Sequence, residues 1–574
     1  WAPGNIIAHR GRIISLGLWQ IDAFPQAEAM LASLPDNQQS LSPQQKQIDQ
    51  LLKAELELAL GNLTGAQRRL ESLLSNQAVP DIQNRSTALL RELLYAELNR
   101  GGQSEAELLG KLESLAQTPL ERGRFLSRKS KYLLDQEDYH GLMQVAEDFK
   151  KIEVNQPLAM AGDTHHLVTV QSLIAGLMQR IADKADQNDQ ATLNSIIVED
   201  QQTALQGANI SELQAFLDTY GSWSQAVAVR TTLAQKMMQS GQIQQAEFLL
   251  MQNHADANPH VAAEAARQLL ELWEAVGLPH EAAGLLKELN EKYANIPLEN
   301  GQTGAEYVAR YDRGSAAWSI YQAMQPSRDN VTRVNIRQSD VAAPAPQIAA
   351  TYRNYERKFL PPPEISQLLL KQGSLLTVVN RHAGQSIGQV KVSDRISYPY
   401  HSRNTRVGHF IPLGSSHKIH GVSLLQLEGD VSEPLWTTEF DDLNNSQSLF
   451  YVGPSGPRVC VFQWGNRLFG LNPANGKVLW ERKNIPSKSG FLSDSSKGLV
   501  GDQEAIVAFS INRTNYDVYS AITGERIRQG ELELNSRIRH VFGRKLFYET
   551  TSTTEKRVRL WDPLTDRLLL DEPV

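Results

Sequence analysis

The chain has 574 residues, 41% of them hydrophobic and 21% charged, and its 57 Lys and Arg against 64 Asp and Glu leave a net charge of −7. A chain this long divides into about two to four domains, since single hydrophobic cores stop growing near about 250 to 300 residues. The acidic balance supplies no global basic field for nucleic acid or an anionic membrane surface, and a single cysteine, Cys460, excludes an intrachain disulfide framework and metal sites built from several thiolates.

The first segment, 1–24, opens on "GNIIAHRGRIISLG" (4–17), two short apolar runs joined at Arg10-Gly11 like a hairpin. A lone hairpin is marginal in water. These runs are therefore expected to be terminal strands of a larger β unit, and the sequence is expected to be a piece of a longer protein. No apolar run approaches the roughly 18 residues of a spanning helix; "SLIAGLM" (172–178) is among the longest.

From 25 to 300 the hydrophobic period is helical and one turn signature recurs, a Gly that ends a helix followed five residues on by an Ala. It stands at Gly61 and Ala66, Gly101 and Ala106, Gly241 and Ala246, and Gly277 and Ala282, with "QEDYHG" (136–141) as a degenerate copy. Gly supplies the left-handed conformation that closes a helix, and the small residue lets the next helix approach its partner closely. Neighbouring copies are 40, 35 and 36 residues apart (61 to 101, 101 to 136, 241 to 277), which is solenoid spacing. Each Ala is expected to be buried.

The copy "AQKMMQSGQIQQAEFLLMQNHADANP" (234–259), with its late Pro259, resembles the tetratricopeptide repeat. It departs from that family in lacking large aromatics in the first helix, and 154–224 shows no clear copy. An irregular helical solenoid stays open as the alternative. The resemblance implies a stacked array with a concave surface for a peptide or protein partner.

Periodicity fades over 301–364, where "VAAPAPQ" (341–347) and "FLPPPE" (359–364) read as a proline-stiffened linker and "RYDRGSAAWSIYQAM" (310–324) as one more helix. From 365 to 574 short apolar runs alternate with turn residues. Three segments align, "LNPANGKVLW" (471–480), "YSAITGERIR" (519–528) and "WDPLTDRLLL" (561–570); their turn residues Gly476, Gly524 and Asp566 stand 48 and 42 positions apart, the size of a four-stranded propeller blade.

The first of these is similar to the repeat of pyrroloquinoline-quinone-type β-propellers, a WD-like blade with a small-residue turn and then a Trp. The resemblance implies that Trp480 packs between neighbouring blades. Trp436 is a more degenerate instance, while Arg528 and Leu570 stand where the other two repeats would have Trp. Closing the ring needs more strands than 365–574 supplies. The amino-terminal strands are expected in the same ring, paired near 558–570 or 375–379, with a separate truncated propeller as the alternative.

Candidate chemistry is sparse. The family's quinone-dependent alcohol dehydrogenases use a vicinal disulfide and calcium-binding acids; one cysteine cannot make that disulfide, so no cofactor is expected. "GLNPANGK" is a hairpin turn and not a phosphate loop, since five residues separate Gly470 from Gly476 and Val478 stands in place of the magnesium-binding hydroxyl. His401, His409, His417 and His420 are spaced 8, 8 and 3 apart, which matches no compact metal site. They read as solvated loop and strand residues. His165-His166 is a neighbouring pair that one metal would seldom share. "FDDLNNSQ" (440–447) reads as a turn, and the basic run "SRKSK" (127–131) as a solvated helix face.

The expected fold is multidomain, an all-α helical-repeat solenoid joined to an all-β propeller, partial or fragmentary in this sequence. The expected function is a non-catalytic scaffold or assembly protein with protein partners, no nucleic acid, and no catalytic, cofactor or metal residue in the chain. Family analogy implies a bacterial, periplasmic or extracellular setting. Two alternatives stand beside it: a quinone- or metal-dependent propeller oxidoreductase whose active site lies outside this sequence, and a ligand-sensing propeller.

Overall fold

The structure is a computed structural model. It describes residues 5–324 and 347–573, apart from 10–11, 17–20, 35–41, 77–78, 101–103, 155, 161–162, 208, 351–366, 373, 381–384, 393–406, 415–416, 426, 428–430, 441–449, 486–498, 511–514, 534–535 and 552–554. The chain forms two compact units, Trp1–Tyr132 and Leu133–Val574.

In the first unit, Asn5–His9, Arg12–Leu16 and Ile21–Pro25 form a three-stranded antiparallel sheet. Among the described residues these strands pair only with one another. Arg567–Pro573 pairs with Lys556–Asp562, and Leu375–Asn380 lies between Gln367–Gln372 and Ser386–Lys391.

Helices follow in both units, and four of their turns share one geometry. At Gly61, Gly241 and Gly277 φ is +78°, +78° and +75°, and Glu137 takes +56° in the turn that carries no Gly. In each, the left-handed residue donates its N–H three residues back and the next residue donates five back, as in Gly61 to Leu58 and Asn62 to Glu57, or Glu137 to Leu134 and Asp138 to Leu133. That is a Schellman closure. The degenerate copy is thus in register one residue later than its sequence suggests, with Glu137 in the role of Gly61.

Ala66, Ala246 and Ala282 are fully buried. Each is the fourth residue after its cap, Asn62, Gln242 and Leu278. Ala106 is exposed, against expectation. Its helix, Glu105–Leu115, begins from Ser104, so Ala106 lies in the first turn and Leu108 takes the buried place; Gly101 lies outside the described residues.

The break in the repeat pattern has a physical cause. The stretch after 154 is a hairpin, Leu158–Met160 and Asp163–Val168, and only then do the helices Val170–Lys184, Gln187–Gly207 and Ile210–Tyr220 resume.

Among the described residues, five antiparallel sheets occupy the rest of the second unit. Sheet I contains Gln347–Ala350, which falls in the segment read as linker, with Gln367–Gln372, Leu375–Asn380 and Ser386–Lys391. Sheet II holds Phe410–Gly414, Lys418–Ser423 and Trp436–Glu439. Sheet III holds Phe450–Ser455, Cys460–Trp464, Arg467–Leu471 and Val478–Arg482. Sheet IV runs from Val500–Gly501 through Ala505–Phe509 and Asn515–Ser520 to Arg526–Glu531, and sheet V from Arg537–Phe542 through Lys545–Thr551 and Lys556–Asp562 to Arg567–Pro573.

Successive sheets meet through one repeated contact. Trp480, on the last strand of sheet III, is fully buried and donates its indole N–H to the Ala521 carbonyl at 3.0 Å. Its ring covers the turn of sheet IV so closely that a Cβ on Gly524 would lie 2.5 Å from it. Trp436 repeats the arrangement one sheet earlier, with its N–H 2.8 Å from the Pro473 carbonyl and its ring over Gly476. Where Arg528 replaces the Trp, it forms an ion pair with Asp566, which takes φ +55° in place of the Gly.

Candidate functional site

The most specific feature is the joint between helices and sheets inside Leu133–Val574. The hairpin that interrupts the helices supplies its first part. Asp163–Val168 pairs antiparallel with Val478–Arg482, placing Val168 beside Trp480 and His166 beside Arg482, and Leu158–Met160 adds a sixth strand to sheet III. Thr169 and Lys483 extend the ladder at 2.9 and 2.8 Å. A strand edge that would otherwise template association is covered from within the chain.

His166 is buried, and its Nε2 lies 2.7 Å from the Thr523 carbonyl, a contact that requires the ring nitrogen to donate. Arg482 forms an ion pair with Asp163 and donates to the Gly524 carbonyl at 2.9 Å. Burial first, and then the Arg482 charge, push the His166 imidazole down to about 4 from its ordinary 6.5. The fold therefore favours neutral His166. Its contribution is complete above pH 6.5 and is lost as pH falls from there to about 4, with a ceiling on the order of 3 kcal/mol. His166→Gln keeps a donor for Thr523 and is expected to flatten the stability profile of the second unit across that window, as measured by denaturant titration at stepped pH.

The second part is a buried carboxylate–imidazole knot. Glu247, on the helix Ile243–His254, and Glu281, on Pro279–Glu291, are fully buried, as is His409, just ahead of sheet II. His409 Nδ1 lies 2.6 Å from Glu247 Oε1, and the His409 backbone N–H donates to Oε2 at 3.1 Å. Trp273 Nε1 donates to Oε1 at 2.9 Å and Gln244 Nε2 to Oε2 at 2.7 Å. His409 Nε2 faces Glu281 Oε1 at 3.7 Å. Gln244 in turn accepts from the Ser423 hydroxyl of sheet II at 2.8 Å. Gly408 brings the backbone against this carboxylate, with φ +54° and no room for a Cβ, which would lie 2.7 Å from it. Burial alone would raise the Glu247 carboxyl; the His409 charge and the hydrogen bonds from His409 and Trp273 outweigh it and hold Glu247 below the usual carboxylate range.

Beside this joint a cleft of about 870 Å³ runs between the helices and sheets III and IV. Arg180, Arg230, Asp256, Arg458 and Glu525 are among its lining residues. Arg180 forms an ion pair with Glu525, tying the helix Val170–Lys184 to sheet IV.

The structure corrects several sequence readings. His409 and His420 are buried, not solvated, the latter with Nδ1 3.0 Å from the Thr437 hydroxyl. His417 is partly buried, His165 is exposed, and His401 lies outside the described residues. In the run 127–131, Ser127, Arg128 and Ser130 are buried; Arg128 forms an ion pair with Glu105 and donates to the Leu98 carbonyl, so the run is a packed face and only Lys131 is exposed. Of "FDDLNNSQ" only Phe440 is described, and it packs in the core with Phe462 and Phe469. Cys460 is buried, and burial pushes its thiol up to about 12. Among the described residues no group of three or more His, Cys, Asp and Glu could hold a metal ion, and no helix is long and apolar enough to cross a membrane.

Sequence reasoning did not single out Glu247 or Glu281. Each neighbours the repeat alanine, Ala246 or Ala282, and an acidic residue within that buried stretch is the signal that was available.

No family model matches the chain, and no curated protein matches it. Among solved structures it is similar to Hsv2 of Kluyvelomyces marxianus, with 9% identity and a TM-score of 0.22 over 35% of this chain and 60% of that one. Hydrazine synthase of Kuenenia stuttgartiensis gives 10% identity and 0.25 over 40% and 67%. Cps50 (Swd1) of Myceliophteria thermophila, described as a β-propeller domain, gives 10% and 0.23 over 36% and 69%. The chain thus spans less than two thirds of the first of these, and scores at this level carry no argument about function.

Proposed function

We propose that the chain is a non-catalytic scaffold or assembly protein in which a tetratricopeptide-like array and a propeller of WD-like blades present surfaces to protein partners. The carrying observation is the joint itself: a strand from the helical segment completes sheet III, and the knot at Glu247 fixes the helices to sheet II. Two binding surfaces held in fixed relation suit assembly, where partners must be oriented as well as bound. In this reading the domains are 1–24, 25–300, 301–364 and 365–574, and the setting is bacterial and extracytoplasmic by family analogy.

The test is site-specific photo-crosslinking in the source cells, with a photoreactive residue at Gln235 on the helices or at Leu569, which is exposed on the last strand. Discrete protein adducts from both positions, recovered with one assembly, are the expected result. Absence of adducts together with a bound quinone or stoichiometric metal in the purified protein would replace this reading with the oxidoreductase. The charged cleft favours a second reading, a ligand-binding propeller.

A further inference from the structure

The cleft between the helices and sheets III and IV carries donors that lack acceptors. Several of its charged groups are matched: Arg180 with Glu525, Glu504 with Arg544, and Arg526 3.7 Å from Asp517. Two guanidinium groups differ. Arg230, on the helix Ala226–Gln239, is buried and donates only to neutral acceptors, Asn253 Oδ1 at 2.7 Å and the Gly221 carbonyl. Arg458, on the hairpin tip between the first two strands of sheet III, has no hydrogen bond or ion pair among the described residues and lines the same cleft. The hydroxyl of Ser222, next to Gly221, is buried without a partner among the described residues and lines it too.

Arginine is not deprotonated in proteins, so burying Arg230 with the half-buried Arg458 near enough for its charge to act on it carries an uncompensated cost. That cost shows in both. Burial lowers Arg458, while burial and then the Arg458 charge lower Arg230 to about 10. Asp256 is the one carboxylate that acts favourably on Arg230, and it also accepts the Asn258 backbone N–H at 2.9 Å. Asp256 is thus set against Arg230, Arg458 has no carboxylate partner among the described residues, and Asp183, the cleft's other carboxylate outside an ion pair, is hydrogen-bonded to Gln179.

We propose that this cleft binds an anion, the carboxylate or phosphate group of a ligand, held by Arg230 and Arg458 with the Ser222 hydroxyl as a further donor. An anionic oxygen reached by both arginines supplies the charged acceptor that neither has, through charge-assisted hydrogen bonds about twice as strong as neutral ones. The inference is independent of the scaffold reading; a free small anion and an acidic peptide side chain share the same chemistry.

Thermal melting and calorimetric titration of the full chain with inorganic phosphate, citrate and a hexaglutamate peptide test it, at constant ionic strength set with chloride. The wild type is expected to bind at least one probe and to melt higher with it. Arg458→Gln, which breaks no hydrogen bond within the described residues, is expected to melt no lower than wild type without probe and to bind at least tenfold more weakly. Ser222→Ala serves as a second, milder variant with weaker binding. A response to peptide alone identifies an acidic protein segment as the source, and a response to phosphate or citrate a free small anion. Binding to none of the three, or binding unchanged by Arg458→Gln, would overturn the proposal.

Discussion

Trp480→Ala is expected to destabilise the unit Leu133–Val574 by about 3 to 5 kcal/mol, the usual cost of emptying a fully buried aromatic site. The residue is 0% exposed, bonds the Ala521 carbonyl of the next sheet and covers Gly524. Its strand also pairs with Asp163–Val168. The loss should therefore reach the helices that follow that hairpin as well as the sheets. Helical and sheet signals of this unit are expected to fall in one shifted transition, measured by far-ultraviolet circular dichroism and tryptophan fluorescence against urea. A variant in which the sheet signal falls while those helices keep their wild-type midpoint would show that the hairpin does not couple the two.

Glu247→Ala should cost a similar amount, about 3 to 5 kcal/mol, for a different reason. Removing the carboxylate leaves the His409 ring, the Trp273 indole N–H and the Gln244 amide in a dry site without their acceptor. The pair also has a pH signature. Glu247 is held below its ordinary value of 4.5 in the fold, so its stabilisation is complete above about pH 4.5 and is lost as pH falls through the lower folded value. Glu288 adds to the same acid limb: hydrogen bonding and charge from His254 and Lys292 outweigh its burial and bring it down to about 2. Glu247→Gln should remove part of that limb and leave the Glu288 part. A Glu247→Gln variant with the wild-type acid slope and midpoint would contradict the role given to the knot.

Much of the local architecture was legible because it is set by short-range chemistry. A left-handed residue is needed wherever these helix pairs turn, so Gly61, Gly241 and Gly277 announced their turns, and the small residue behind the cap announced burial at Ala66, Ala246 and Ala282. Trp480 was legible from the segment that carries it, a small-residue turn at Gly476 followed by a Trp, through its resemblance to a propeller repeat. Four things escaped. Glu137 adopts the Gly conformation without being Gly, which shifted one turn by a residue. The helix that carries Ala106 starts from Ser104, so Ala106 lies two residues after its cap and not four, and equal spacing did not mean an equal position on the helix. The joint was invisible because its partners lie far apart in sequence: Val168 and Trp480, or Glu247 and His409, are ordinary residues until the fold brings them together. Burial of His409 and His420 escaped for the same reason, as nothing in a 20-residue segment shows that Glu247 and Thr437 will meet their rings.

Hydrogen–deuterium exchange of the full chain, read by mass spectrometry on peptides covering 158–169 and 476–485, tests the central claim that one sheet is built from both parts of the second unit. The pairing of Leu167 with Glu481 and the bonds at Thr169 and Lys483 predict slow exchange in both peptides. They also predict that protection is lost together as urea is raised. Fast exchange across 163–168 while 478–482 stays protected would mean that the hairpin is not part of sheet III, and the joint between helices and sheets would fall with it.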